Sequence, residues 1–424
     1  MAADEGTSQA AGSSLPEIRV PAARTFAGLV AGLLLGLVLK GSDALSVLLA
    51  IAEPVGSLWL RALQMTILPL VAGLLFTGIV QTAAAAQAGA MARRTLSLFA
   101  AVLAAGGVIA AVAMPLLLEL APIPASAASA LSSTGAEAGA VPGLPDFLGS
   151  LLPANILDAA AGDAMLPVVI FIALFAFATT RLAEAPRRHL AMLFEALAGA
   201  MLVVIGWVLA LAPVGVFALA LGVAAKSGSA AIAALAHYIA LVSAIGAVIL
   251  IAAYLLAMLT ARQNPDIFAR SVLPAQAVAF STQSSLASLP AMLVACRKLG
   301  VRETSADFVL PLAVAIFRAT SPAMNMAVAI YAATLMGVTL TPAILAAGVA
   351  VAFLISLSTV SLPGTISFVA SVGPIALAMG VPVEPLALLV AVEMLPDIMR
   401  TVANVTMDVA VTAAVDRKSG NSVA

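Results

Sequence analysis

Long apolar blocks alternate along this chain with short polar breaks. The first block is Thr25 to Leu39, closed by Lys40-Gly41-Ser42. A second begins near Ala44 and is broken at Glu53-Pro54, and the next span runs from about Ser57 to Val80. Arg93-Arg94 precede a third span, Thr95 to Leu118. Residues 119–150 hold no Lys or Arg and are rich in Ala, Ser, Pro and Gly, which predicts a long loop. The fourth span is Met165 to Thr180, the fifth His189 to Ala224, and the sixth Ala230 to Thr260. Each is long enough, or nearly so, to cross a hydrocarbon layer as a helix of about 20 residues.

Beyond Arg262 the pattern changes. Residues 265–297 and 342–385 have apolar ends and polar centres, Phe280-Ser-Thr-Gln-Ser-Ser and Ser356-Leu-Ser-Thr-Val-Ser. Both centres run into Ser-Leu-Pro, at 288–290 and 361–363. Each is followed by a span that carries an arginine, Arg318 or Arg400. This predicts an internal repeat of a broken, re-entrant hairpin and a polar span. Interrupted segments in corresponding halves point to the binding site of a secondary transporter. Residues 306–338 form the first polar span, interrupted at Phe317-Arg318-Ala-Thr-Ser-Pro322.

The second polar span is the most informative. Glu393, Asp397, Arg400, Asn404 and Asp408 recur at helical spacing. At about 100° per residue they cover an arc of roughly 80°. Charge at membrane depth is costly unless it faces a cavity or a partner. Such a stripe marks a site for a charged solute, for cations, or for both.

Composition fixes the class. The chain has 424 residues, 63% hydrophobic and 9% charged, with mean hydropathy +1.16. Soluble domains are about 25% charged. The expectation is an all-α polytopic membrane protein of eight transmembrane helices plus two re-entrant helical hairpins. The net charge of −1 gives no basic field for nucleic acid, and the single Cys296 excludes an internal disulfide framework. Two histidines, His189 and His237, argue against a His-based metal site. The acidic, Ser- and Ala-rich stretch 1–20 reads as a disordered tail. With the N-terminus in the cytoplasm, the clusters Arg93-Arg94, Arg181 to Arg188, Arg297 to Arg302 and Arg417-Lys418 all fall inside. Only Lys40 and Lys226 fall outside, a strong positive-inside bias.

Asp397-x-x-Arg400-Thr401-x-x-Asn404-Val405-Thr406-x-Asp408 resembles the last-helix motif of the dicarboxylate/amino acid:cation symporters, the glutamate transporter family. Ser284-Ser285, Pro213-Val-Gly-Val-Phe217 and Ser361-Leu-Pro-Gly364 extend the likeness to about residues 25–415. The resemblance implies a homotrimer in the cell inner (plasma) membrane, in contact with lipid, whose transport domains move as elevators. A scaffold would comprise 21–90 and, after an extracellular loop, the rest of 121–224. The transport domain would comprise 91–120 and 225–416, and 417–424 would be a tail. By position, Arg400 would pair with a substrate side-chain carboxylate and Asp397 with an α-amino group. Thr401 and Asn404 would contact the main-chain groups of the substrate. Ser284, Ser285 and the Leu362, Gly364 and Thr365 backbone would close over it from the two hairpin tips, and Ser321 would be a further substrate contact. Asp408 and Asn404 would be cation ligands, with Glu393 and Arg318 in coupling.

The sequence also departs from the family pattern. The family's seventh-span Asn-Met-Asp-Gly-Thr, a source of sodium ligands, aligns with Phe317-Arg318-Ala319-Thr320-Ser321. The third span, Leu98 to Ala113, lacks the family's Thr-Ser pair. An arginine thus stands where relatives hold ions, and the coupling ion is open between Na+ and H+. No organic cofactor is expected, and no enzyme: an intramembrane serine protease needs a base near Ser284 or Ser361, and neither histidine is placed to serve. The alternatives are a C4-dicarboxylate carrier or exchanger, and a channel or membrane scaffold.

Overall fold

The computed structural model describes residues 22–124, 152–162, 164–227, 230–357 and 364–420. The tail 1–20, most of the 119–150 loop and Leu362 lie outside them. Every regular element among the described residues is a helix. In chain order these are α1 Ala22–Val38, α2 Asp43–Gln64, α3 Ile67–Ala85 and α4 Ala90–Leu120. Then come α5 Ile156–Ala161, α6 Met165–Thr179, α7 Glu184–Ala210, α8 Ala212–Ser227 and α9 Ala230–Leu259. The second half holds α10 Pro265–Thr282, α11 Ser285–Lys298, α12 Glu303–Ile316 and α13 Ser321–Leu335. It ends with α14 Pro342–Ser356, α15 Gly364–Ala378, α16 Glu384–Leu389 and α17 Met394–Gly420. Six stretches among the described residues are long and apolar enough to cross a membrane: 43–85, 90–120, 184–210, 232–259, 303–335 and 394–417. The protein is an all-helical, multi-pass membrane protein.

Local chemistry explains most boundaries. Asn264 caps α10 by accepting from the Asp266 N–H at 2.9 Å, with Pro265 at the first helical position. Gln283 ends α10 in the left-handed region, φ 51°. Ser284 then starts α11 by accepting from the Ala287 N–H at 3.2 Å. The two arms of this hairpin pack on one another, as do α14 and α15. Between α12 and α13 the chain opens at Phe317, which is extended, and re-enters helix at Ser321-Pro322.

The helices differ from the sequence expectation in three places. Glu53-Pro54 does not break the second block, because α2 runs through Pro54. A proline costs one helical hydrogen bond, which neighbours in a membrane bundle offset. The break comes at Met65-Thr66, where the Thr66 hydroxyl bonds the Leu63 carbonyl at 2.7 Å. The fifth run is two helices, α7 and α8, parted at Leu211, with Pro213 in the first turn of α8. Helix α17 runs on through Arg417 to Gly420, into the stretch read as a tail.

Close packing joins the first helices. Gly28, Gly32 and Gly36 lie on one face of α1 against α8. A Cβ on Gly28 would strike the Pro213 carbonyl, one on Gly32 the Phe217 carbonyl, and one on Gly36 the Ala224 methyl. Small residues let backbones approach where lipid offers no hydrophobic drive for association. Trp59 of α2 covers Gly215 and donates Nε1–H to the Val208 carbonyl at 2.9 Å. Gly32→Val should therefore force α1 off α8 and destabilise the protein by about 1–3 kcal/mol, the usual range for overpacking. A thermal melt in detergent checks this; an unchanged midpoint would count against the contact.

The polar span sits at the centre of the second half. Helix α17 is packed by α9, α10, α11, α12, α4 and α15. Elsewhere α3 packs on α6 and α7, where Phe76 stacks on Phe194 at 3.9 Å.

Candidate functional site

The stripe on α17 is buried along its whole length. Glu393, Asp397, Arg400, Thr401, Asn404 and Asp408 are each almost inaccessible to solvent. Glu393 lies just ahead of the helix, and its carbonyl accepts from the Asp397 N–H at 2.9 Å, so the stripe begins at the cap.

Arg400 is the hub. Its Nη2 donates to Glu393 Oε1 at 2.5 Å and its Nε lies 3.2 Å from Asp397 Oδ1. Its Nη1 donates to Asn325 Oδ1 at 3.0 Å. Asn325 in turn donates to Ser321 Oγ at 3.0 Å, an i, i+4 pair on α13. Tyr238 of α9 donates its O–H to Glu393 Oε2 at 3.1 Å. The ring of Tyr331 meets that of Tyr238 edge-on at 5.3 Å. His237 reaches the Tyr331 hydroxyl through Nδ1 at 3.2 Å and the Ala121 carbonyl through Nε2 at 2.9 Å. Two carboxylates and an amide therefore surround one guanidinium away from water, and a phenol holds one of the carboxylates, where charge-assisted hydrogen bonds are strong.

The other end of the stripe faces the break between α12 and α13. Asn404 Oδ1 accepts from the Thr320 backbone N–H and hydroxyl, both at 2.9 Å. This is an interhelical clamp of the kind polar side chains provide in membranes. Both Asp408 carboxylate oxygens are buried without a hydrogen-bond partner among the described residues. Arg318, half-buried in the break, is the cation whose field reaches Asp408 and also Asp397. Beside it, Phe317 stacks on Phe99 of α4 at 4.1 Å and 6°. Gly106 of α4 approaches the Ala319 carbonyl. The two apolar departures, one in each span, thus pack against each other.

Whether this end suits sodium is a question of donors. Asp408 offers two unpartnered oxygens, which suits a hard cation. Asn404 Oδ1 already has two donors, and Phe317 and Ala319 bring no side-chain oxygen. No group of three or more His, Cys, Asp or Glu placed for a metal occurs among the described residues. The donor set is a partial fit for a transported cation.

The remaining sequence-predicted residues stand as follows. Thr401 donates its hydroxyl to the Asp397 carbonyl at 2.9 Å, which leaves its oxygen able to accept. Ser284 caps α11, and Ser285 is the half-buried first residue of that helix, which packs on α17. Gly364 and Thr365 open α15, and Leu362 falls outside the described residues. Sequence reasoning missed Tyr238, Asn325 and Thr320. Asn325 carried a signal, being an amide four residues after Ser321 in an otherwise apolar span. Tyr238 carried none beyond its hydroxyl.

The sequence model of the sodium:dicarboxylate symporter family matches residues 22–418. The chain is similar to the "Proton/sodium-glutamate symport protein" of Bacillus subtilis (strain 168), 27% identical over 91% of this chain and 89% of that one. It is similar to the "Proton/glutamate-aspartate symporter" of Escherichia coli (strain K12), 27% identical over 89% of this chain and 88% of that one. It is also similar to a "C4-dicarboxylate transport protein" of Anaeromyxobacter sp. (strain K), 26% identical over 87% of this chain and 84% of that one.

Proposed function

The chain belongs to the sodium:dicarboxylate symporter family, and from that premise we propose that it carries a small acidic amino acid of the aspartate or glutamate kind, taken up at Arg400. The observation that carries this reading is a buried guanidinium whose ligands are carboxylates and an amide. A planar fork matches a carboxylate in two hydrogen bonds, which lysine cannot do. Asp397, one turn away, favours a substrate with an ammonium group over one without. Thr401, Asn404 and Ser321 complete the substrate contacts, with Ser284, Ser285, Gly364 and Thr365 at the closing tips.

The second reading is a C4-dicarboxylate carrier or exchanger, favoured by the Anaeromyxobacter likeness. Charge separates the two. Glu393, Asp397 and Asp408 against Arg318 and Arg400 leave the stripe one negative charge in excess. A dianion adds two more, an acidic amino acid one. Saturable uptake into proteoliposomes, with succinate and aspartate as competitors, tests both. Aspartate should compete and succinate should fail. Equal competition would transfer the reading to the dicarboxylate, and uptake that never saturates would point to a channel.

The rest of the mechanism belongs to the same proposal. Eight spans and two re-entrant hairpins accommodate the helices, with α10–α11 and α14–α15 as the hairpins. The contacts that gather α4 and α9 to α17 in one group, and α1, α2, α3, α6, α7 and α8 in another, support a mobile transport domain on a scaffold. Assembly is a homotrimer in the inner membrane with cytoplasmic termini. Arg318 acts as a tethered cation for Asp408 in a role that sodium fills reversibly, so that coupling passes to a proton or is absent.

A further inference from the structure

We propose that Glu393 is an internal competitor for Arg400, displaced by the substrate carboxylate as Glu393 takes up a proton, and that Tyr238 is the positioning residue that holds it in place. This rests on the reading that Arg400 receives the substrate.

All three guanidinium nitrogens of Arg400 are engaged, by Glu393, Asp397 and Asn325. Two of the five N–H donors remain, one on each terminal nitrogen, but a carboxylate that grips Nε and Nη2 in two parallel hydrogen bonds meets Asp397 and Glu393 already there. Asn325 is anchored through Ser321. Asp397 is fixed within the first turn of α17. Glu393 lies ahead of the helix, in the turns that follow α16, and its side chain has one more torsion than aspartate. It also has the chemistry of the incoming ligand. Glu393 is therefore the partner that leaves.

Its departure is a matter of charge. As an anion in the pair, Glu393 has both oxygens satisfied, one by Arg400 and one by Tyr238. Once an external carboxylate takes Arg400, Glu393 keeps only the phenol. It then faces the ligand and Asp397 as like charges inside the protein. The groups facing it are Arg400 and Asp397 from α17 and Tyr238 from α9, with Tyr331 of α13 behind that ring. Arg318 faces Asp397 from the break before α13. None of the cations is left to neutralise it. A proton from water onto the Glu393 carboxylate completes the exchange. By linkage, acidic-ligand affinity then rises as pH falls, by up to about tenfold per pH unit for one proton.

The test is calorimetry on the full chain in detergent with L-aspartate, across the neutral pH range, in buffers of different ionisation enthalpy. The wild type should take up a proton per ligand and tighten as pH falls. Glu393→Gln should bind without that proton, with a flat pH profile, and more tightly than wild type at the alkaline end. Tyr238→Phe removes the donor that favours the anion, so its profile should move to higher pH. A merely structural tyrosine would lower thermal stability and leave the profile in place, which would overturn its part. Proton uptake that persists in Glu393→Gln, or weaker binding in that variant at every pH, would overturn the competitor. Those outcomes differ from failure of the site reading, which would show as Arg400→Ala still binding aspartate.

Discussion

Arg400→Ala is expected to abolish binding of acidic ligands. Removing the charged partner of a buried ligand group costs about 2–5 kcal/mol, a loss of roughly thirtyfold to several thousandfold in affinity. The geometry adds a second effect. Glu393 and Asp397 both lie within 3.2 Å of this guanidinium, so alanine leaves two buried carboxylates without their counter-charge. Breaking a buried pair in this way costs about 3–5 kcal/mol of stability. The thermal midpoint should therefore fall together with the affinity. Arg400→Ala combined with Glu393→Gln removes most of that strain and should recover stability without recovering aspartate binding. Calorimetry and a melt on both variants check the expectation. Unchanged aspartate affinity in a folded Arg400→Ala protein would remove the guanidinium from the site.

Arg318→Met is expected to change the ion dependence of uptake. Asp408 is buried with neither oxygen hydrogen-bonded among the described residues, and Arg318 supplies the field it sits in. Arginine stays charged under all ordinary conditions. Wild-type uptake into proteoliposomes should therefore continue when choline replaces sodium. Without Arg318 the bare carboxylate costs several kcal/mol, unless a cation from solution joins it. Uptake by the variant should fail in choline and return, in part, with sodium. The double variant Arg318→Met with Asp408→Asn needs neither charge, and should lose that sodium dependence; the cycle isolates the coupling between the two residues. A wild type that strictly requires sodium would sink the tethered-cation idea. The Phe317–Phe99 stack bears on the same point, because it fills with carbon a place where the family pattern has oxygen.

The helices and the stripe were legible in the sequence for a local reason. Hydropathy over about 20 residues decides whether a segment can leave water, and the five polar positions share a face because the helical period puts them there. The breaks at Gln283-Ser284 and at 317–320 were legible too, since polar and Pro-containing interruptions in apolar runs have few other uses. Local signals failed where two local rules competed. Proline at 54 reads as a breaker, yet α2 passes through it; a 36-residue apolar run reads as one span, yet Leu211 divides it.

Partner choice was decided only by tertiary structure. The sequence shows that Arg400 lies one turn from Asp397, but not that Glu393 takes its second terminal nitrogen and Asn325 its first. Tyr238 and Glu393 stand 155 positions apart, and nothing in the residues around either one names the other. Thr320 satisfies Asn404 across 84 positions in the same way. Such pairs exist because helix packing brings α9 against α17 and leaves α13 and the break before it within side-chain reach, and a buried polar group must then bond whatever packing places beside it. The sequence alone determined which residues leave water and on which face they lie; the packing of distant helices decided which of them meet.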